Sequence, residues 1–376
     1  MAPRRGATMP ENLSRISLFW GDLTGGGIEH VMITLAEEFL HRGVETDIIL
    51  LQRKGELQGR LPPDARVFNL EAERLFESVP ALAEYFRDHH PFALLSAAPY
   101  LNRVALFARV LAGVSIPIVI SEHNVSPIAG SNSFLPDWGL MQLTRQIYSL
   151  ADRMIAASEA IAEGVSRSLE LRREEFDIIY NPVVGPKTFE LAEQSVDHPW
   201  FSDERQPVVL GAGRLVKDKG FSTLLRAFAQ IRETRRARLA ILGEGKKRPA
   251  LEQEAKQLGV SDHVWMPGFV SNPMKYMADA SVFVLSSKSE GLGNVLIEAM
   301  ACGTPVVSTD CPGGPSEILE EGKYGKLVPV EDPTALATGI EAALDGDVEP
   351  APRSALDRFR RDRVAEQYLN VLGSVV

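Results

Sequence analysis

The 376-residue chain has little cysteine, no long apolar run and no excess of positive charge. Its two cysteines, Cys302 and Cys311, provide no disulfide framework, which favours a reducing compartment. A formal net charge of −10 disfavours nonspecific attraction to polyanions, so we expect no nucleic-acid partner. The apolar stretch 16–20 is too short for a signal peptide, and polar residues interrupt the apolar region 91–120. These features predict a cytoplasmic protein.

The chain does contain a regular alternation of short β-branched runs with helical patterns. Its length exceeds what one hydrophobic core usually serves, so two domains are expected. Alternation of this kind predicts an α/β fold of two Rossmann-like domains, each with a parallel sheet covered by helices. The predicted strands of the first domain are 15–20, 45–51, 66–70, 92–97, 116–121, 153–158 and 177–180. Those of the second are 207–215, 238–245, 263–269, 281–287, 304–310 and 325–330.

The boundaries follow from the same pattern. We predict an N-terminal domain at 1–183, an interdomain linker without clear periodicity at 184–206, and a second domain at 207–350. Residues 351–376 are predicted as a crossover helix that packs back across the joint. Because ligands of open parallel sheets bind beyond the carboxyl ends of the strands, the two domains should face a cleft lined by strand-to-helix loops.

The segment SEGLGNVLIEAM at 289–300 places two glutamates around a glycine-rich turn. Asn294 can cap the helix that follows, and the first amide groups of a helix favour phosphate. Carboxylates on either side can accept hydrogen bonds from hydroxyl groups, which suggests that Glu298 binds a ribose and Glu290 a transferred hexose. The alternative is that Glu298 complements the helix dipole and Glu290 is a solvated loop residue.

Two cations follow the first strand of the second domain. Arg214 and Lys219 lie five positions apart after Gly213, and both can reach a diphosphate, one by a planar fork and the other as a point charge. The alternative is an exposed, solvated pair of cations. The glycines of this loop match a dinucleotide-binding fingerprint only weakly, because Val216 occupies the third glycine position.

These motifs resemble the retaining glycosyltransferase family 4, whose members have the two-domain GT-B fold. The resemblance covers nearly the whole chain and is carried by 213–228, 239–245, 264–272, 289–319 and 325–333, including the E-x7-E pair Glu290 and Glu298. It implies that the domain at 1–183 binds the acceptor and that the domain at 207–350 binds the nucleotide sugar. It implies that Arg214 and Lys219 hold the donor diphosphate. It also implies that a backbone turn binds phosphate and sugar, formed by Gly291, Leu292, Gly293, Asn294 and Val295.

The resemblance assigns three further regions. Gly268, Phe269 and Val270 are expected near the nucleotide base. The loop Gly25, Gly26 and Gly27 is expected near the donor phosphates and the acceptor, although close packing of a strand on a helix explains it equally well. His123, in the sequence Ser121-Glu122-His123-Asn124, resembles a donor- or acceptor-binding histidine, the alternative being a structural or solvated one.

The predicted function is therefore a retaining hexosyltransferase that uses a nucleotide sugar, most simply a UDP-sugar. Its acceptor would be a hydroxyl group of a glycan or lipid-linked glycan in cell-surface polysaccharide or glycoconjugate synthesis. We predict Glu290, His123, Arg214 and Lys219 as catalytic, with no cofactor and no metal. Arg103 and Arg109 suggest peripheral contact with the inner face of the cytoplasmic membrane. The alternatives are a GT-B-fold epimerase, a phosphorylase, or a noncatalytic module that binds nucleotide sugars.

Overall fold

The computed structural model describes residues 14–128, 136–201 and 206–375. The chain divides into two compact units, one formed by Met1–Pro182 with Arg361–Val376 and the other by Val183–Arg360. Each unit has its own hydrophobic core. The predicted α/β class and the two Rossmann-like sheets are confirmed.

The first unit is built on a parallel sheet. Its described strands are β1 (Arg15–Trp20), β2 (Glu45–Leu50), β3 (Arg66–Asn69), β4 (Ala93–Ala97), β5 (Ile118–Glu122), β6 (Arg153–Ala156) and β7 (Phe176–Ile178). They lie in the order β3-β2-β1-β4-β5-β6-β7. The helices between them are α1 (Gly27–His41), α2 (Ser78–His89), α3 (Pro99–Ala112), α4 (Asp137–Tyr148) and α5 (Glu159–Leu169).

The second unit repeats the arrangement. Its described strands are β8 (Val208–Ala212), β9 (Arg238–Leu242), β10 (Val264–Gly268), β11 (Val282–Leu285), β12 (Val306–Thr309) and β13 (Lys326–Val328), in the order β10-β9-β8-β11-β12-β13. Its helices are α6 (Pro186–Ala192), α7 (Phe221–Thr234), α8 (Arg248–Gln257), α9 (Pro273–Asp279), α10 (Asn294–Ala301), α11 (Pro315–Ile318) and α12 (Pro333–Leu344). The order is that of a dinucleotide-binding sheet.

The segments predicted as linker and crossover lie within the units. Residues 184–206 belong to the second unit and contain α6, which packs against α9. A 3₁₀ helix follows at Arg353–Phe359, and the chain then enters the first unit as α13 (Arg361–Gly373). Helix α13 packs on α1 and adds Val364, Tyr368 and Leu372 to the first core. The C-terminal segment is therefore part of the first unit's structure.

Strand order decides where each sheet can bind a ligand. In the first unit the direction of winding reverses between β1 and β4, and in the second between β8 and β11. Loops that leave the carboxyl ends of such a strand pair diverge and leave a crevice. The glycine loop 25–27 follows β1, the cations Arg214 and Lys219 follow β8, and Glu290 follows β11. These glycines, cations and Glu290 thus lie at the reversal point of their sheets, whereas His123 follows β5 and Gly268 ends β10.

The prediction that Arg103 touches a membrane is wrong, and for Arg109, which is partly exposed, it stays a prediction. Arg103 is buried, and its guanidinium donates to the Pro127 carbonyl oxygen at 3.1 Å and to Thr144 Oγ1 at 3.3 Å. Arg109 forms an ion pair with Asp152 and donates to the Ile116 carbonyl oxygen. Both side chains therefore hold α3 against its neighbours. Among the described residues, none of the helices combines the length and apolar character needed to span a bilayer.

Candidate active site

An ion pair joins the two loops at the reversal point of the second sheet. Lys219 Nζ lies 2.6 Å from Glu290 Oε1, although 71 residues separate them in sequence. Ser287 Oγ donates to the same carboxylate oxygen at 2.6 Å. The side chains of Lys219 and Glu290 are 22% and 9% exposed, so the pair is largely shielded from solvent. The alternative that Glu290 is a solvated loop residue is therefore excluded.

Backbone contacts hold these loops in register. Ser286 Oγ donates to the Lys219 carbonyl oxygen at 2.9 Å, and the Lys288 amide donates to the Asp218 carbonyl oxygen at 2.7 Å. Gly220 has a φ of 64°, and a Cβ there would lie 1.9 Å from the Ser286 carbonyl oxygen. Only glycine permits this approach of the two backbones. The loops after β8 and β11 are therefore packed directly on each other.

Arg214 is not part of the ion pair. Its side chain is exposed, and within the described residues its guanidinium forms neither a hydrogen bond nor an ion pair. The neighbouring Leu215 is fully buried and receives a backbone bond from Lys247. The backbone at Arg214 is thus anchored while its guanidinium remains available to a ligand. Gly213 has a φ of 153° and lies beside the aliphatic part of the Lys219 side chain.

The glycine turn and helix α10 form as the sequence predicts, with a different cap. Asn294 is the first residue of α10, and the capping position is occupied by Gly293, whose φ is 99° and which makes no side-chain cap bond. The predicted Asn294 cap is therefore wrong, because the positive φ is needed one residue earlier. Leu292 is buried and fixes the turn, and the Gly314 amide donates to the Gly291 carbonyl oxygen at 2.9 Å.

Glu298 lies one turn into α10 and is half-buried. Burial, followed by the charge of Glu298, raises the pKa of Cys302 to about 12. In the same way burial and then Glu290 raise the pKa of Cys311 to about 12. Both thiols are therefore protonated at neutral pH, and neither has the thiolate character of a nucleophile.

The end of β10 forms the far side of this region. The Gly243 amide donates to the Gly268 carbonyl oxygen at 2.8 Å, and Gly268 has a φ of 92°. Phe269 follows with its ring 71% exposed, and Val270 is half-buried. An exposed aromatic ring at a strand end provides a flat apolar surface on which a base can stack.

In the first unit, the glycine loop forms the start of α1. Helix α1 begins at Gly27 with Gly26 as its cap residue, and Gly25 has a φ of 92°. The preceding turn is closed by Asp22, whose carboxylate accepts from the Thr24 amide at 3.0 Å and from the Thr24 hydroxyl at 2.6 Å. A Cβ at Gly25 would meet nothing within 4 Å, so packing does not explain that glycine.

His123 lies directly after β5 and is 7% exposed. Ser121 Oγ lies 3.0 Å from its Nε2 and 3.2 Å from the Tyr368 hydroxyl of α13. Burial lowers the pKa of His123 to about 4, although Asn181 nearby favours the protonated ring. The imidazole is therefore neutral at neutral pH. The solvated alternative for His123 is excluded, and the structural alternative remains open.

Glu122 is a titratable residue at this strand end to which the sequence assigns no role. Its carboxylate is fully buried and accepts from Asn102 Nδ2 at 2.8 Å and from the Tyr148 hydroxyl. Burial raises the pKa of Glu122 to about 7, against the opposing effects of Tyr148, Asn102 and Arg103. Its position beside His123 is the one feature of the sequence that could have pointed to Glu122.

No cluster of three or more potential metal ligands occurs in the described part of the chain.

Two family models match successive parts of the chain. The model described as Glycosyltransferase Family 4 matches residues 25–184, and the model described as Glycosyl transferases group 1 matches residues 194–360. Together they span both units and include every residue of the candidate site.

Curated relatives match over most of their length. An N-acetylgalactosamine-N,N'-diacetylbacillosaminyl-diphospho-undecaprenol 4-alpha-N-acetylgalactosaminyltransferase of Campylobacter jejuni is 27% identical over 89% of this chain and 91% of its own. The lipopolysaccharide core biosynthesis glycosyltransferase LpsE of Rhizobium meliloti is 27% identical over 93% and 96%. Among solved structures, Anabaena HepE in complex with UDP and glucose aligns over 96% and 99% at 23% identity with a TM-score of 0.77. The chain is a glycosyltransferase with the GT-B architecture, whose first part matches the family 4 model and whose second part matches the group 1 model.

Proposed function

We propose that the protein transfers a hexose from a UDP-sugar to a hydroxyl group of a lipid-linked or polysaccharide glycan, with retention of anomeric configuration and without a metal ion. The Lys219–Glu290 pair at the reversal point of the second sheet carries this proposal. It places a cation that suits a diphosphate next to a carboxylate that suits sugar hydroxyls. Arg214 adds a second cation in the same loop.

The bound donor would replace the contact between Lys219 and Glu290 with its own contacts to each of them. Diphosphate oxygens take the place of Glu290 as the partner of Lys219, and hydroxyl groups of the hexose donate to the Glu290 carboxylate. The amide groups at the start of α10 add positive potential for the phosphates, and Glu298 accepts from the ribose. Two side-chain cations and these amides supply the charge stabilisation that the departing diphosphate requires.

The transfer step breaks the bond between the anomeric carbon and the UDP oxygen and forms a bond to the acceptor oxygen. The acceptor hydroxyl loses its proton to the departing phosphate oxygen. Retention follows when departure and attack take place on the same face of the sugar. His123, which is neutral at neutral pH, serves as a hydrogen-bonding group for donor or acceptor rather than as a cation.

The names of the relatives support the choice of substrates. One acts on an undecaprenol diphosphate-linked glycan and another in lipopolysaccharide core synthesis, and HepE is solved with UDP and glucose. Contact with a membrane that presents a lipid-linked acceptor stays a prediction. The neighbouring exposed apolar residues Phe107, Val110 and Leu111 of α3 are the surface that would make it, in place of the buried Arg103.

The test is a transfer assay with UDP-sugars and undecaprenol diphosphate-linked glycans, with the anomeric configuration of the product read by NMR. We expect Glu290→Gln to lower kcat/KM by tenfold to about a hundredfold, since it removes one charge-assisted contact with the transferred sugar. Glu254→Gln is the matched control. Glu254 accepts from Ser222 Oγ at 2.7 Å and from Arg226 at 2.8 Å, outside the candidate site.

Other outcomes would replace the proposal. A product of inverted configuration would contradict retention. Conversion of the UDP-sugar without an acceptor would identify an epimerase, and release of a sugar phosphate with free phosphate a phosphorylase. Binding of UDP-sugar without product under any of these conditions would favour a noncatalytic module.

A further inference from the structure

A chain of three buried polar side chains connects the C-terminal helix to His123. Ser121 and Tyr368 are fully buried in the first unit, and His123 is nearly so. Ser121 Oγ lies between the other two, 3.0 Å from His123 Nε2 and 3.2 Å from the Tyr368 hydroxyl oxygen. Tyr368 is 247 residues from Ser121. These three side chains are therefore connected only when α13 is packed on the first unit.

The direction of these hydrogen bonds follows from counting donors. Burial raises the pKa of Tyr368 to about 12, so its hydroxyl keeps its proton, and the acceptor within reach is Ser121 Oγ. Ser121 then has its own proton to donate, and the lone pair of Nε2 is the remaining acceptor. The opposite direction would leave the tyrosine proton without an acceptor, and an unsatisfied buried donor is costly.

A donor at Nε2 fixes the tautomer of the ring. When Nε2 accepts from Ser121, the single proton of the neutral imidazole must reside on Nδ1. Nδ1 is buried and makes no hydrogen bond of good geometry within the described residues, and Asn181 is the neighbouring side chain that favours a proton on the ring. Buried polar atoms of native proteins are nearly always satisfied, so an Nδ1–H group would donate to Asn181 or, when a ligand is bound beside it, to a ligand oxygen.

We propose that Tyr368, acting through Ser121, is a positioning residue that holds His123 as the Nδ1–H tautomer. His123 then presents a hydrogen-bond donor to an oxygen of the sugar nucleotide or of the acceptor. This part of the inference rests on the proposed transferase function. The assignment of the tautomer does not, since it depends only on contacts within the first unit.

The tautomer can be measured directly. We would record ¹⁵N–¹H correlation spectra of protein labelled at histidine nitrogen and identify His123 among the seven histidines by its loss in His123→Gln. In the unaltered chain we expect the nitrogen shifts of a single Nδ1–H tautomer. Tyr368→Phe removes the hydroxyl and keeps the packing, so Ser121 is free to reorient and we expect a mixture of tautomers. Ser121→Ala removes the hydroxyl that donates to Nε2, and we expect it to give a mixture of tautomers as well.

Tyr85→Phe is the matched control. Tyr85 is a buried tyrosine of the same unit, and its hydroxyl donates to Asp47 at 2.6 Å and lies 2.7 Å from Ser17 Oγ. It should lower stability without changing the His123 spectrum. A single unchanged Nδ1–H tautomer in both Tyr368→Phe and Ser121→Ala would overturn the proposal. If either variant fails to fold, the other still decides the question.

Kinetics separate this inference from the function on which it rests. With transferase activity established, we expect Tyr368→Phe to lower kcat by about threefold to tenfold, as for loss of one neutral hydrogen bond, with little change in the donor KM. If the tautomer of His123 changes in Tyr368→Phe but kcat does not, His123 does not act as a hydrogen-bond donor to the substrate. The positioning of His123 by Tyr368 and Ser121 would still hold. Absence of transfer by the unaltered chain would contradict the proposed function, and the spectra would still test the tautomer.

Discussion

At the level of single residues, burial sets the charge state of the two titratable groups at the end of β5. Glu122 and His123 are adjacent in sequence and both buried, yet burial shifts their pKa values in opposite directions, to about 7 and about 4. In each case it is the charged form that burial disfavours. The strand end after β5 therefore keeps His123 neutral and leaves Glu122 close to half-ionised at neutral pH.

This difference predicts how stability depends on pH. The pKa of Glu122 is raised in the folded state, so its protonated form stabilises the fold below about pH 4.5, and that contribution is lost as the pH rises through 7. We expect the free energy of unfolding of the unaltered chain, relative to Glu122→Gln, to decrease by about 3 kcal/mol between pH 4.5 and pH 8. Urea denaturation at several pH values measures it. A difference that stays constant with pH would show that Glu122 does not titrate in this range.

At the scale of elements, the candidate donor site depends on two loops whose backbones touch. Gly220 ends the turn that carries Lys219, and its Cα faces the Ser286 carbonyl oxygen of the loop after β11. Side-chain contacts can adjust when a residue changes, but two backbone segments in contact have little freedom to do so. The geometry of the Lys219–Glu290 pair should therefore be sensitive to any added atom at this point.

We expect Gly220→Ala to cost more than 2 kcal/mol of stability and to weaken UDP binding, because it adds a clash to the strain of a positive φ. Gly259→Ala separates the two causes. Gly259 has a φ of 71° in the same unit, and a Cβ there would meet nothing within 4 Å. It should cost about 1–2 kcal/mol and leave UDP binding unchanged. Denaturation and calorimetric titration with UDP measure both effects, and equal behaviour of the two variants would contradict the role of backbone contact.

At the scale of the whole molecule, the two units differ in how the chain builds them. The second is continuous from Val183 to Arg360, whereas the first needs both ends of the chain, since α13 contributes to its core. The two cores are separate clusters, so ligands of one unit should stabilise that unit first. Thermal unfolding with and without nucleotide can therefore report on the second unit.

We expect UDP to raise the melting temperature of the protein, because a ligand that binds only the folded state stabilises it by about 2.7 kcal/mol at a hundred times its Kd. GDP, ADP and TDP should act more weakly if the donor is a UDP-sugar. Lys219→Ala should reduce the shift, while Lys217→Ala, an exposed lysine of the same turn, should not. No shift with any nucleotide would contradict the assignment of the donor site.

The strands and the candidate motifs could be predicted from the sequence. Each described strand starts within two residues of the start of a predicted run, since apolar β-branched runs between helical patterns are a local property of the chain. The spacing of Arg214 and Lys219, and of Glu290 and Glu298, likewise lies within single strand-to-helix segments. The family resemblance rested on these same local motifs.

Only the tertiary structure decided which of these residues meet. The pairing of Lys219 with Glu290 depends on β8 and β11 being neighbours, and that of Tyr368 with Ser121 on the docking of α13. Burial of Arg103 and Glu122 depends on which helices cover them, which an apolar pattern does not specify. Local patterns encode the elements because they arise between residues close in sequence. Contacts across 71 or 247 residues depend on strand order and helix packing, which only the folded chain establishes.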